Sequence, residues 1–527
     1  MRNIVILLLA ALAASLLSSC GRGSDGATVS KSTARGTLIQ NPPLRVASVN
    51  VTDLTAELNA TASGQQLVAL AGAPTCGIDY HYIQYQTVGG NATTPEQTTA
   101  TGVMMVPTGT APQCSGPRPI VLYAHGTTTV KSYNLAAVAD PTNDAYSESA
   151  LIGAMFAAQG YIVVAPNYAG YDSSTLSYHP YLNADQQSKD MIDALTAARS
   201  ALGHIIASGT TDNGKLFITG YSQGGHVAMA THKAMQALGL PVTASAPMSG
   251  PYAMGAFGDA LFYGNVDLGS TVFAPLLSTS YQKAYGNIYS ATTDLYTSTY
   301  ASGIETLLPS TTPMNSLFTQ NLLPQTALFS STAPTTGGAV QALDALFPTI
   351  TPPTTPAAEA ALFALGFSAN NYLINNSYRL AYVVDAATNP DGAVPTATNG
   401  LPAASPTNTL RQAFKTNDLR NWVPTSPVLL CGGHSDPTVY YNVNTQVMQA
   451  FWTPQLASPA LLTVVDVDPG TSPPVGALQT GFVAAETGVL TAAGGGANGQ
   501  SAVVQAYHGT LVPPFCTAAA RGFFSQF

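Results

Sequence analysis

Charge is what this sequence has least of. Only 8% of its 527 residues are Asp, Glu, Lys or Arg, against roughly 25% in ordinary globular proteins. With 46% hydrophobic residues, the chain is not intrinsically disordered, a state that needs few apolar residues and excess charge. Basic residues are scarcer than acidic ones. The 17 Lys and Arg stand against 26 Asp and Glu, a net charge of −9 with no basic run, which argues against nucleic-acid binding through an electrostatic footprint. Cysteine is rare too: there are five, none in a C-x2-C spacing, so no metal site is expected. Thr, Ser, Ala, Gly and Pro fill the polar share, a composition that suits an exported protein.

The N-terminus also points to export. Met1-Arg2-Asn3 is a short positive start, and Ile4–Leu17 is a mainly apolar run. That run is too short for a bilayer span of about 20 residues but suits a signal-peptide core. It ends in Leu17-Ser18-Ser19-Cys20-Gly21, the small residues and cysteine of a bacterial lipobox. Residues 1–19 are therefore expected to be a lipoprotein signal peptide and Cys20 the lipidated mature N-terminus. Residues 20–45, rich in Gly, Ser and Thr, read as a flexible tether. The expected location is the periplasmic or cell-surface side of a bacterial membrane. Setting Cys20 aside leaves Cys76, Cys114, Cys431 and Cys516, an even number that suits disulfides in an oxidising compartment. Of three possible pairings, Cys76–Cys114, which flanks two early strands, and Cys431–Cys516 are favoured.

The length exceeds the usual single-domain range of roughly 100–200 residues. Ile78–Val88 and Thr98–Pro107 read as paired strands. Pro119–His125 and Tyr161–Pro166 are short continuous apolar runs, as strands buried on both faces require, and Lys215–Gly220, Val242–Pro247 and Pro427–Gly432 read as further strands. Helical patterns alternate with them. In Ala184–Ile206, Met191, Leu195, Ala198 and Leu202 make one apolar face, Asn183 is placed to cap, and Gln186 to complete a capping box. This alternation implies a mostly parallel sheet covered on both faces. It fails between Pro251 and Thr425. The expected organisation is a core of 46–250 and 426–527 interrupted by an inserted cap, 251–425. Within that cap Thr306–Leu343 holds no charged residue. Insertions of this length are often lids or binding elements.

Gly220-Tyr221-Ser222-Gln223-Gly224 carries the chemistry. The bare G-x-S-x-G pattern is weak in a chain with 47 glycines. Its context is informative: a buried strand precedes it and the helical pattern Gln223–Leu238 follows at once, as a nucleophile elbow needs. A serine hydroxyl requires a base, and the base an orienting acid. In this arrangement the chain order is Ser, acid, His. His226 lies on the helix that starts at Ser222 and cannot swing over it, and His232 is placed on that helix's exposed half. His508, in Ala506-Tyr507-His508-Gly509-Thr510, is expected on a loop after the last strand-like run and is the candidate base. Asp436, just past strand Pro427–Gly432, is the candidate acid, with Asp466 and Asp468 as rivals. His434 precedes the acid and is read as a supporting residue. The Cys431–Cys516 bridge would then link the acid and base segments. For the oxyanion, the amides of Thr127, in His125-Gly126-Thr127-Thr128, and of Gln223 are the candidate donors. His125 itself is equally a structural turn residue.

The set AHGTT, PNYAGYDSS with SYHPYLNADQQSKDMIDALTAAR, GYSQGGH, PVLLCGGHSDPTV and AYHGTLVPPFC resembles the secretory lipase family, the lipase A-like α/β hydrolases, in its bacterial lipoprotein branch. The resemblance covers roughly Ile78–Pro251 and Pro424–Phe527. It implies an α/β-hydrolase fold with a large lid inserted between the sixth strand and the acid. By motif matching it gives Ser222, Asp436 and His508 the triad roles. About 40 residues separate strand Leu461–Val467 from His508, where a compact hydrolase places the histidine directly after that strand. The expected activity is an exported serine carboxylic-ester hydrolase, esterase or lipase, without cofactor or metal. An uncharged, acyl-chain-containing ester is its expected partner, and the membrane is reached through the lipid anchor. The alternatives are an exported serine peptidase on the same fold and a catalytically inactive surface-binding lipoprotein.

Overall fold

The apolar runs become the inner strands of one large sheet. In the computed structural model, which describes residues 34–94, 96–205 and 209–527, the strands are β1 (Leu44–Val49), β2 (Gly77–Val88), β3 (Gln97–Thr108), β4 (Gly116–Ala124), β5 (Ile162–Pro166), β6 (Thr210–Tyr221), β7 (Ala244–Met248), β8 (Phe329–Ser330), β9 (Phe367–Ser368), β10 (Val428–Gly432) and β11 (Leu462–Asp466). Nine of them form a sheet in the order β1-β2-β3-β5-β4-β6-β7-β10-β11, and β8 pairs with β9 apart from it. From β5 to β11 every neighbouring pair is parallel. Strands β1, β2 and β3 extend the sheet antiparallel on one side. Strands β5, β7 and β10 are wholly buried, which explains the unbroken apolar sequence of β5 and β10; in β7, Ser245 is satisfied by His232.

The strand order creates the site. After β4 the chain steps outward to β5, then returns to the other side of β4 as β6 and continues outward to β7. The loops after β4 and β6 therefore diverge and leave a crevice at the carboxyl ends of the strands, where open α/β sheets bind ligands.

Helix Ala184–Leu202 lays Met191, Leu195, Ala198 and Leu202 into the core. The Asn183 side chain accepts from the Gln186 amide at 3.1 Å. The expected capping box is only half present, because the Gln186 side chain donates instead to the Val88 carbonyl at 2.8 Å, docking the helix on β2. Disulfides join Cys76 to Cys114 and Cys431 to Cys516.

Two expectations are corrected. Cys20 and the first part of the tether lie outside the described residues, but 34–45 are not a free tether. The Gly36 and Ile39 amides donate to the Gln86 and Gln84 carbonyls, both at 2.8 Å, Arg35 pairs with Asp193 at 3.0 Å, and β1 follows directly. An open sheet edge offers backbone partners that need no apolar side chains, so low hydrophobicity did not reveal the docking. His232 is also not on an exposed face. It is 1% exposed, with Nδ1 at 2.8 Å from the Ser245 hydroxyl and its ring edge-on to Trp422.

Between β7 and β10 the regular structure is mainly helices joined by long irregular segments, and it builds an apolar core of its own around Phe262, Tyr281, Leu295, Phe347, Tyr382 and Phe414. Tyr181 and Leu182, from before helix Ala184–Leu202, belong to the same cluster. Few charges occur here, and several are inside. Arg411 contacts Asp259 at 2.8 Å and Asp385 at 2.7 Å, all three side chains nearly solvent-free. Arg420 likewise contacts Asp391 at 2.6 Å and Asp418 at 2.7 Å. Removing one partner of such a group leaves a buried charge uncompensated, at a cost of about 3–5 kcal/mol. Arg411→Ala is expected to lower unfolding free energy by that amount in urea titrations. A loss below about 1 kcal/mol, the level of an exposed pair, would contradict this role.

Burial also lowers the pKa of His226 and His232 from 6.5 to about 4. The unfolded chain takes up these protons near pH 6.5 while the folded one refuses them until about 4. Their contribution is thus fully present above pH 6.5 and is lost as pH falls towards 4. The urea midpoint should decline across that window, and less steeply in His226→Gln than in the parent.

Candidate active site

Strand β6 delivers Ser222 on a strained turn. Its φ and ψ are 59° and −121°, a conformation that non-glycine residues rarely adopt. The turn is possible because glycines stand two residues to either side, at Gly220 and Gly224, where the backbone meets the end of β4. A Cβ on Gly220 would sit 2.4 Å from the Ala124 carbonyl oxygen, and one on Gly224 would sit 1.9 Å from the same atom. Helix Gln223–Ala237 starts immediately, with the Gly225 amide donating to the Ser222 carbonyl at 2.8 Å. The Ser222 amide donates to Met248 at the end of β7, at 3.0 Å. The elbow is thus clamped between β4 and β7.

Three residues far apart in sequence meet there. His508 Nε2 lies 2.8 Å from Ser222 Oγ, and its Nδ1 lies 2.6 Å from Asp436 Oδ2. The Asp436 Oδ1 accepts from the Thr438 and Val439 amides at 2.9 and 3.0 Å, so the turn after β10 orients the carboxyl group. An ionised carboxylate can only accept, so the Nδ1 proton belongs to His508 and its Nε2 faces the hydroxyl as an acceptor.

His508 is not on a loop, as the Gly-containing sequence implied. It lies in a π-helical turn, Tyr507–Leu511, between helix Gly496–Ala506 and helix Val512–Phe524. The roughly 40 residues after the last strand are mainly helices Gly476–Ala492 and Gly496–Ala506. The wide turn is a common device at functional sites and carries no sequence signature. The rival acids lie elsewhere: Asp466 bonds His434 Nδ1 at 3.0 Å, and Asp468 accepts from the Tyr507 hydroxyl. His434 is 40% exposed and supports Asp466, not the triad histidine.

The oxyanion candidates flank the serine. A Cβ on Gly126 would lie 3.9 Å from that of Ser222, which places the Thr127 loop beside the hydroxyl. Among the described residues, neither the Thr127 nor the Gln223 amide donates to a protein acceptor. The Thr127 hydroxyl bonds that of Tyr181 at 2.9 Å. His125 is buried, with its ring nitrogens against the Gly126 and Asn167 carbonyls, so its role is structural.

His179 carries no local motif of its own. Its Nδ1 donates to the Ala169 carbonyl at 2.9 Å, leaving Nε2 to accept from the Gln223 side chain at 2.7 Å. Burial lowers its pKa to about 3, which keeps it neutral for that role. Its partners are distant in sequence, so only the fold brings them together. Over Ser222 and Gln223 opens an apolar cavity lined by Met254, Phe257, Phe273, Leu277 and Phe414, with Asp267 as its charged-type residue. Burial, and then the neighbouring Asp436, pushes the Asp267 carboxyl well up, which favours the uncharged form.

Comparisons with known proteins agree with this architecture. The rice cell wall degrading esterase LipA of Xanthomonas oryzae superposes with a TM-score of 0.63 at 25% identity, covering 94% of this chain and all of LipA. A putative hydrolase of Legionella pneumophila gives 0.60 at 18% identity, covering 93% of this chain and 97% of its own. The family model of the prolyl oligopeptidase family matches residues 148–256, the segment containing β5, β6 and the elbow. No curated protein sequence matches the chain. The parallel sheet, the serine elbow and these neighbours give this chain the α/β-hydrolase fold, in an arrangement similar to that of LipA-type esterases.

Proposed function

We propose that the protein is an exported serine carboxylic-ester hydrolase for uncharged esters with an acyl chain. The observation that carries the reading is a serine hydroxyl 2.8 Å from an acid-oriented imidazole at the mouth of an apolar cavity. Ser222 Oγ attacks the ester carbonyl carbon while His508 Nε2 takes its proton, and Asp436 stabilises the imidazolium. The Thr127 and Gln223 amides receive the oxyanion. Collapse expels the alcohol, which takes the proton from His508. Water activated by His508 then releases the carboxylic acid and restores Ser222. No cofactor enters this sequence.

The cavity lining suits an alkyl chain, whose burial contributes about 0.8 kcal/mol per CH2, and burial of Asp267 disfavours its charged form there. LipA of X. oryzae is described as an esterase, which favours the same chemistry. The prolyl oligopeptidase match favours a second reading, a serine peptidase.

Ser222→Ala should lower kcat on p-nitrophenyl esters by more than about 10^4-fold. Retained hydrolysis would remove the serine mechanism. Across a series of acyl lengths, kcat/KM should rise from acetate to longer chains and exceed that on aminoacyl-nitroanilides. The reverse preference installs the peptidase reading. Membrane attachment is proposed through Cys20: metabolic labelling with palmitate should be present in the parent and absent from Cys20→Ala. Equal labelling of both would exclude that residue.

A further inference from the structure

We infer that Tyr221 and Tyr507, the residues immediately preceding Ser222 and His508, are positioning residues whose hydroxyls tie the three triad-bearing segments together. The inference rests on the serine-hydrolase reading and adds how its geometry is maintained. The Tyr221 hydroxyl donates to the His508 carbonyl at 2.6 Å, and its ring lies 5.1 Å from the imidazole. In the π-helical turn the Val512 amide donates to the Tyr507 carbonyl and Pro513 has no N–H, so the His508 carbonyl needs a donor from outside the helix. The nucleophile's own turn supplies it, and the same hydroxyl lies 3.4 Å from His508 Nδ1, so base and nucleophile are linked through both the backbone and the imidazole.

Tyr507 makes the corresponding link to the acid. Its hydroxyl donates to Asp468 Oδ2 at 2.5 Å and accepts from the Ser435 amide at 3.2 Å, one residue before Asp436. The fit is tight, because a Cβ on Gly433 would lie 2.4 Å from the same hydroxyl oxygen. Phe482 packs edge-on to the Tyr507 ring at 5.6 Å and is the buried residue of helix Gly476–Ala492. Burial raises both phenols well above the usual range, so both remain donors.

The long helical connection between β11 and His508 is mostly half-buried or exposed, and it does not by itself fix the imidazole to the accuracy that acyl transfer needs. A misplacement of about 1 Å can cost roughly 10²-fold in rate. The two tyrosines and the Cys431–Cys516 bridge supply the missing constraints.

The test uses Tyr221→Phe, Tyr507→Phe and Asp468→Asn, each checked for native folding by near-UV circular dichroism. The measurements are kcat and KM on p-nitrophenyl butyrate and the rate at which a fluorophosphonate labels Ser222. Each variant should lose about tenfold or more in kcat with KM changed by less than about twofold, and the labelling rate should fall in parallel. A purely structural role lowers the melting temperature but leaves kcat and labelling per folded molecule within about twofold of the parent, and that result overturns the inference. Asp468→Asn keeps the side-chain volume but replaces the charged acceptor of the Tyr507 hydroxyl with a weaker neutral one, so it decides the Tyr507 arm if the Phe variant does not fold. Activity retained by Ser222→Ala overturns the serine reading and this inference together. An inactive Ser222→Ala beside fully active tyrosine variants overturns this inference alone.

Discussion

The backbone turn at Ser222 is the constraint on which the rest of the site depends. A φ of 59° at a residue with a side chain costs of order 1–3 kcal/mol and persists only where the surroundings over-determine it. Here the end of β4 presses against Gly220 and Gly224, while the end of β7 accepts the Ser222 amide. The same close approach brings the Gly126-Thr127 loop beside the hydroxyl. The turn that exposes the nucleophile therefore also positions the candidate oxyanion donors, and both follow from β4 and β6 being neighbours at the point where strand order reverses.

The base is held differently. Ser222 and Asp436 follow directly from strands that are wholly buried near their ends, whereas His508 arrives at the end of a long helical excursion. Its imidazole is fixed by what it touches: Asp436 on one nitrogen, Ser222 on the other, a tyrosine hydroxyl on its carbonyl, and a disulfide from β10 to the helix that follows it. Asp436 is fixed as firmly, since two amides occupy the carboxyl oxygen that His508 does not use.

The scarcity of charge acquires two structural meanings. In the block between β7 and β10, Arg411 and Arg420 lie buried among four aspartates, where Arg411 links three helices and Arg420 ties connecting segments together instead of coating a surface. Around the serine the scarcity continues as an apolar cavity, and its one carboxyl group, Asp267, is pushed towards the neutral form. A count of charged residues could not separate these uses, because it contains nothing about burial.

What the sequence determined by itself was local. Strands buried on both faces must be short and apolar, a helix with one buried face must repeat its apolar residues, and a strand–serine–helix turn needs glycines where backbones meet. Those rules were enough to read the α/β class, the elbow, and Ser222, Asp436 and His508 as candidates. Tertiary structure decided what depends on residues distant in the chain. It put 34–45 on a sheet edge, buried His232 under Trp422, placed His508 in a π-helical turn and set His179 against Gln223. Each of these depends on a partner tens to hundreds of residues away, and no local pattern of apolar and polar residues encodes which partner that will be.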